Sequence, residues 1–259
     1  MKTPSGPLPG DEPRLVLAAR NLVVGYQGRA LLPPIDLAIH RGETWVVVGR
    51  NGSGKSTFLK TMLGLLAPVS GTVERPAGVE CSYVAQRHHV EPTVPMRGVD
   101  LVAMGRDQDW SFLNPFKTPD SYEDVMMALK RVGAEGFAKK RFDAMSGGQQ
   151  QKVMLAQALV SRPEVIILDE PTAAMDVVAE HATIHVLSQL RQDLGTAVVL
   201  VTHRLSLGLR HADKACFVDA ETGTLVVGTP RDVIAHPTFQ KYFGLLVEHH
   251  DAEEEKPCD

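Results

Sequence analysis

The run Thr44-Trp45-Val46-Val47-Val48-Gly49-Arg50-Asn51-Gly52-Ser53-Gly54-Lys55-Ser56 changes character twice. It opens as an unbroken apolar strand, passes into a glycine-rich loop and ends on Lys55-Ser56. From there Leu59, Met62, Leu63 and Leu66 take up helical spacing. Strand, loop and helix in this order give the GxxxxGK[ST] motif in the context it needs. The spacing has a chemical reason. Glycines let backbone N–H groups turn inward around phosphate oxygens, the lysine reaches the β- and γ-phosphates, and the serine hydroxyl takes Mg2+. The helix N-terminus adds its positive dipole. Gly49, Asn51, Gly52, Ser53, Gly54, Lys55, Ser56 and the adjoining Thr57 are thus the candidate nucleotide-binding run.

A second part of the site follows at Val165-Ile166-Ile167-Leu168-Asp169-Glu170, an apolar strand ending in two carboxylates. Consecutive side chains at a strand end point in different directions, so one acid can face a metal while the other faces an attacking water. Asp169 is the candidate Mg2+ holder and Glu170 the candidate general base.

Just before that strand stands Met145-Ser146-Gly147-Gly148-Gln149-Gln150-Gln151-Lys152. Ser146 and Gln149 form an S-x-x-Q capping box that starts a helix, and a helix N-terminus is an anion site. With this segment the chain resembles the ATP-binding cassette (ABC) family, whose LSGGQ signature it nearly reproduces. The resemblance covers most of residues 15–235 and implies an α/β P-loop NTPase (RecA-like) core. It adds an N-terminal antiparallel β-subdomain and an α-helical signature subdomain. It also implies a head-to-tail homodimer, in which each ATP lies between the loop at Gly49 of one copy and Ser146, Gly147, Gly148 and Gln149 of the other.

Further residues carry over from the family one at a time. Tyr26 stands where an aromatic stacks on adenine, although a core aromatic is the alternative reading. Gln86 matches the glutamine that senses Mg2+ and the attacking water and moves with the membrane partner. His203 matches the histidine that contacts the γ-phosphate, and Asp176 the aspartate at the dimer seam. The resemblance is imperfect: Met145 replaces a leucine, Lys152 an arginine and Ala173 a serine, and Arg204 stands where an acid is common. Leu to Met preserves volume. Lysine lacks the paired donors of arginine and alanine lacks a hydroxyl, so coupling between the two sites is expected to weaken. Lys55, Glu170, Gln86 and His203 are the candidate catalytic set, with Ser56, Gln86 and Asp169 around the metal.

The rest of the chain reads outward from these motifs. Residues 1–14 are a Pro/Gly-rich leader without the apolar stretch of a signal peptide. Residues 15–235 form one domain. Within it, runs at 15–26 and 33–49 are strand-rich, with a hairpin turn expected at His40-Arg41-Gly42-Glu43. A helical insert is expected at about 90–160. After it, strands at 165–169, 197–203 and 215–219 alternate with helices, the first of them from about Val177 to Leu194. Thr229 is the expected N-cap of one more helix, with Pro230 in its first turn. Residues 236–259 read as a helix end and a polar, acidic tail.

Composition limits what such a machine can act on. The chain has 259 residues, a formal net charge of -4 and three cysteines with no CxxC pair. This disfavours non-specific nucleic-acid binding, a disulfide framework and a zinc ribbon. No apolar stretch reaches the roughly 20 residues of a membrane helix. A lone cassette of this kind implies separate membrane permease subunits and, through them, an extracytoplasmic binding protein. Its expected place is the cytoplasmic face of the inner membrane. The segment from Thr93 to Gly133 resembles cassettes serving importers of zinc or manganese, iron chelates or cobalamin. Two alternatives stay open: a soluble cassette acting on nucleic acid or the ribosome, and an exporter ATPase. The pair His181/His185, four apart, lacks the Glu of a zinc-protease helix and reads as structural or solvated. The tail histidines His249 and His250 read as part of a solvated charged end.

Overall fold

The computed structural model describes residues 14–84, 96–105, 119–170, 177–202 and 205–244. Two sheets carry the fold. The smaller places β1 (Leu15–Val23) between β4 (Ile35–His40) and β6 (Ser70–Glu74), antiparallel to both. A two-residue hairpin, β2 (Gly25–Tyr26) and β3 (Arg29–Ala30), projects between β1 and β4 in sequence. Its turn residues Gln27 and Gly28 have φ of 49° and 76°, the left-handed pair that a tight hairpin of this hand requires.

The larger sheet has the order β11-β10-β5-β9-β8-β7. It contains β5 (Thr44–Val48), β7 (Cys81–Val84), β8 (Val165–Asp169), β9 (Ala197–Val201), β10 (Lys214–Asp219) and β11 (Thr224–Gly228). Every neighbouring pair is parallel except β10 with β11. The runs VIILD and AVVLV are buried at every position, and TWVVV at all but its first. Continuous apolar strands are what a sheet covered on both faces needs. One face packs on α1 (Lys55–Met62) and the small sheet through Val47, Phe58, Leu59, Ile167 and Val199. The other packs Ile166, Leu168, Val198 and Leu200 under α5 (Val177–Leu194) and the helical lobe.

That lobe comprises α2 (Gly98–Met104), α3 (Pro119–Arg131) and α4 (Gly147–Leu159), where the helical insert is expected. Leu129, Val153 and Val102 are fully buried at its centre. Beyond β9 come α6 (Leu205–His211) and α7 (Pro230–Ala235). Thr229 caps α7 as expected, in a full capping box with Asp232. A further helix, α8, spans 237–244 and sets Phe239 in the core with no exposure. No helix among the described residues is long and apolar enough to cross a membrane.

Two local expectations need correction. The turn at 40–43 exists, with Glu43 N–H donating to the His40 carbonyl at 3.1 Å and Gly42 at φ 75°. It is not a hairpin turn, because β4 pairs with β1 whereas β5 pairs with β9 and β10. The physical reason is coverage: β4 alternates buried and less buried residues, as a one-sided strand does, and β5 is apolar throughout. The second correction is the length of α1, which stops at Met62 rather than reaching Leu66. Gly64 takes φ 74° and Leu65 turns out to solvent.

Candidate functional site

Because β5, β9, β8 and β7 run parallel, their C-terminal ends share one edge of the sheet, where open α/β folds bind their ligands. The glycine-rich loop leaves the end of β5 and the two acids leave the end of β8, with β9 between them. The loop is shaped by what cannot fit in it. A Cβ on Gly49 would overlap the Val218 carbonyl oxygen and stand 2.5 Å from Ser53 Oγ. Gly52 and Gly54 take φ of 78° and 100°, closed to most side chains. Gly54 also serves as N-cap of α1 without any side-chain cap, so the first N–H groups of that helix keep no side-chain acceptor.

Lys55 is buried, with its Nζ donating to the Gly49 carbonyl at 2.9 Å and the Arg50 carbonyl at 2.8 Å. Burial lowers its pKa from the ordinary lysine value, while Glu170 and then Asp169 act in the opposite sense. Ser53 Oγ is buried and has no hydrogen-bond partner among the described residues. A buried hydroxyl without a partner calls for an acceptor or donor from elsewhere, which a phosphate oxygen would supply.

Asp169 is buried at the end of β8 and receives two hydroxyls on one oxygen. Ser56 Oγ donates to its Oδ2 at 3.2 Å and Tyr83 OH donates to the same atom at 2.9 Å. The first bond joins α1 to β8 across 113 positions of chain, bringing together two of the three residues expected around the metal. A hydroxyl and a carboxylate side by side are hard oxygen ligands that suit Mg2+. Burial and then the Asp169 charge push the Tyr83 phenol above its ordinary pKa, so it stays a proton donor across the physiological range. Glu170, next along, takes φ 51° and donates its N–H to the Val201 carbonyl at 2.9 Å. A non-glycine residue held in the left-handed region stores strain, and such residues cluster at active sites. Here the twist turns the chain sharply at the end of β8, beside Asp169.

Tyr26 is 53% exposed and not a core aromatic. Its hydroxyl lies 2.9 Å from Thr57 Oγ1 on α1, so the ring stands at the solvent side of the helix that follows the loop. At Ser146 the expected capping box forms: Gln149 N–H donates to Ser146 Oγ at 3.4 Å and Ser146 N–H to Gln149 Oε1 at 3.2 Å. Gly147 follows as the first residue of α4, and a Cβ on Gly148 would meet nothing within 4 Å, so this helix start is open to an approaching group. Met145 is buried, with its Cε in the space a Cβ on Gly98 would enter, which shows methionine filling the lobe at this position. Among the described residues no hydrogen bond or ion pair links 145–149 to 49–57.

Gln86, His203, Asp176, Ala173, Arg204, His249 and His250 lie outside the described residues, as does the side chain of His181. Among the described residues no three His, Cys, Asp or Glu side chains gather to hold a metal. Cys216 is buried inside β10, which pushes its thiol up to about 12. The residue that sequence reasoning missed is Tyr83. It lies three positions before Gln86, and only the parallel register of β7 on β8, with Tyr83 beside Ile167, brings it to Asp169.

Comparison with known proteins agrees with this fold. A family model described as ABC transporter matches residues 32–173. The zinc import ATP-binding protein ZnuC of Photorhabdus laumondii is 33% identical over 239 residues, covering 92% of this chain and 86% of that protein. ZnuC of Chromohalobacter salexigens is 34% identical over 243 residues, covering 91% and 95%. Among solved structures, a chain of a transporter described as metal-chelate type, in an inward-facing conformation, superposes with a TM-score of 0.79 at 27% identity. It covers 89% of this chain and 90% of its own. The dimeric cassette MJ0796 bound to ADP and Pi, at 24% identity and a TM-score of 0.68 over 79% of this chain and 95% of its own, shares the fold. The chain belongs to the ABC transporter family, as one of its ATP-binding cassettes.

Proposed function

We propose that this protein hydrolyses ATP to drive an importer of a metal ion or metal chelate, paired with a second copy of itself and seated on membrane permease subunits. The observation that carries the ATPase reading is the bond from Ser56 to Asp169 beside buried Lys55. The metal reading rests on the likeness to ZnuC proteins and to the metal-chelate transporter.

The chain's own groups divide the work. The N–H groups of residues 52–56 and the start of α1 cradle the phosphates, and Ser53 Oγ gains a partner there. Lys55 leaves the Gly49 and Arg50 carbonyls for the β- and γ-phosphate oxygens, whose negative charge offsets the desolvation that burial imposes on it. Tyr26 offers its exposed ring to the adenine. Ser56 and Asp169 would hold Mg2+, which would supply positive charge to offset that of the phosphates. Glu170 accepts a proton from a water that attacks the γ-phosphorus, while the bond to the β,γ-bridging oxygen breaks and ADP leaves. Gln86 and His203 are assigned to the same reaction on the family pattern. Ser146, Gly147, Gly148 and Gln149 of the second copy close over the γ-phosphate, where their open helix start favours an anion. Closure with ATP and opening after hydrolysis then move the permease.

The test is Glu170→Gln. Turnover should fall about 10²- to 10⁴-fold, the range for loss of a general base. ATP should stay bound, and gel filtration with ATP and Mg2+ should show a dimer that the wild-type protein forms only transiently. Normal turnover by this variant removes Glu170 as the base. Uptake of zinc by vesicles holding the reconstituted complex tests the cargo separately.

A further inference from the structure

Helix α8 is seated by aromatic packing. Phe239 and Phe243 meet Phe217 of β10 edge-on, at 5.5 Å and 84° and at 6.2 Å and 90°. Phe217 is paired in register with Val48, two residues before Arg50. The helix therefore lies beside the strand that delivers the phosphate loop, and it touches that loop directly. The Tyr242 ring centroid is 4.7 Å from Arg50 Cζ, and Arg50 Nη1 donates to Glu221 Oε2 at 2.6 Å in the turn after β10. The same turn holds the loop at a second point, where Ala220 N–H donates to the Ser53 carbonyl at 3.2 Å.

Arg50 carries opposing pulls. Its carbonyl accepts Lys55 Nζ and the Ser53 N–H, both drawing the peptide toward the inside of the loop. Its side chain is held from outside the loop, by the Glu221 carboxylate and the Tyr242 ring. We propose that Glu221 and Tyr242 clamp Arg50 so that the phosphate loop keeps its present shape for ATP and closes no further, which makes Arg50 a positioning residue and α8 a working part of the nucleotide site. This rests on the ATP-binding reading above. Without the clamp, the peptide at 49–50 is free to follow the ammonium inward, and ATP must reopen and order the loop as it binds. Preorganisation of that kind changes affinity. It leaves the chemical step alone, because Lys55 and Glu170 regain their places once the phosphates are in. The coupling runs both ways: ATP, by fixing Arg50, tightens α8.

The test compares steady-state ATP hydrolysis by the full chain and its variants. Arg50→Ala and Tyr242→Leu should each raise KM for ATP about 3- to 10-fold, the range for one cation–ring contact with an exposed ion pair, with kcat changed less than about two-fold. Arg50→Lys should recover part of the loss and Tyr242→Phe nearly all of it. The double variant should be no worse than the worse single, because each removes the same link. Lys241, 5.5 Å from the same ring, supplies the control: Lys241→Ala should match wild type. Amide exchange at 237–244 should slow with AMP-PNP and Mg2+ in the wild type and not in Arg50→Ala. Unchanged KM in Arg50→Ala, whose side chain is exposed enough to spare the fold, overturns the clamp. A wild-type chain that binds no ATP overturns the underlying reading instead.

Discussion

The chain contains two glycine-rich helix starts, and they are built in opposite ways. At Gly54-Lys55 the helix has no side-chain cap, and the loop ahead of it folds back so that two of its carbonyls hold the lysine. At Ser146-Gly147 the helix is capped by its own serine and glutamine, with a lysine, Lys140, bonded to Gln149 Oε1 at 3.0 Å. The first is an enclosed nest whose own carbonyls hold the chain's own cation. The second is a finished helix end, where a Cβ on Gly148 would meet nothing within 4 Å among the described residues. A site that encloses and a site that waits are what the composite site proposed above, shared between two copies, would need.

Removing the enclosed cation should break the comparison hardest. Lys55→Ala takes away the charge aimed at the phosphates, and loss of one preorganised donor to a developing anion costs on the order of 10²–10³ in rate. Binding of ATP to the monomer, followed by calorimetry, should weaken along with turnover. If nucleotide affinity is unchanged, the enclosed half is not where ATP is held. The waiting half should behave differently. Ser146→Ala removes a cap that contributes about 1 kcal/mol to the start of α4, and turnover should fall about five-fold while the monomer's affinity for ATP stays at the wild-type value. Dimer formation in the Glu170→Gln background, read by gel filtration, should weaken in step. A loss of monomer affinity in Ser146→Ala contradicts the division into halves.

How much of this the sequence discloses depends on the range of the interaction. The loop at Gly49, the helix cap at Ser146 and the cap at Thr229 are local, and each is legible because a few adjacent residue types do one physical job. The buried strands at 165–169 and 197–201 are legible because sheets covered on both faces leave an unbroken apolar run. The turn at 40–43 reads as a hairpin for the same local reason, and misleads, since nothing in four residues says that the next strand belongs to another sheet. Strands β6 and β11 escape notice because SGTVE is nearly all polar and TLVVG is half-buried at every position, as an edge strand is. Contacts across the chain are the least legible. Tyr242 on Arg50 and Tyr83 on Asp169 join positions 192 and 86 residues apart, and strand order and helix packing alone create them.

The smallest expected effect tests the Tyr83 contact and returns to the enclosed half. Asp169 Oδ2 accepts from both Ser56 and Tyr83, so the carboxylate is turned toward α1 before any metal binds. Tyr83→Phe keeps the ring in β7 and removes only the hydroxyl. The Ser56 bond remains, and Tyr83 is half-buried, so the loss should fall near the low end of the range for one hydrogen bond, about 0.5–1 kcal/mol. That corresponds to a 2- to 5-fold rise in the Mg2+ concentration giving half-maximal turnover, with a matching loss of Mn2+ affinity in the presence of ADP, read by electron paramagnetic resonance. Because the phenol is held above its ordinary pKa, the folded state binds its proton more tightly than the unfolded chain does. This contribution is therefore complete at every pH below the ordinary phenol range and is lost only above it. The difference between Tyr83→Phe and wild type should accordingly be flat from pH 6 to about 9. A metal requirement identical to wild type would show that Ser56 alone orients Asp169, and would leave the enclosed half resting on α1 and β8 without help from β7.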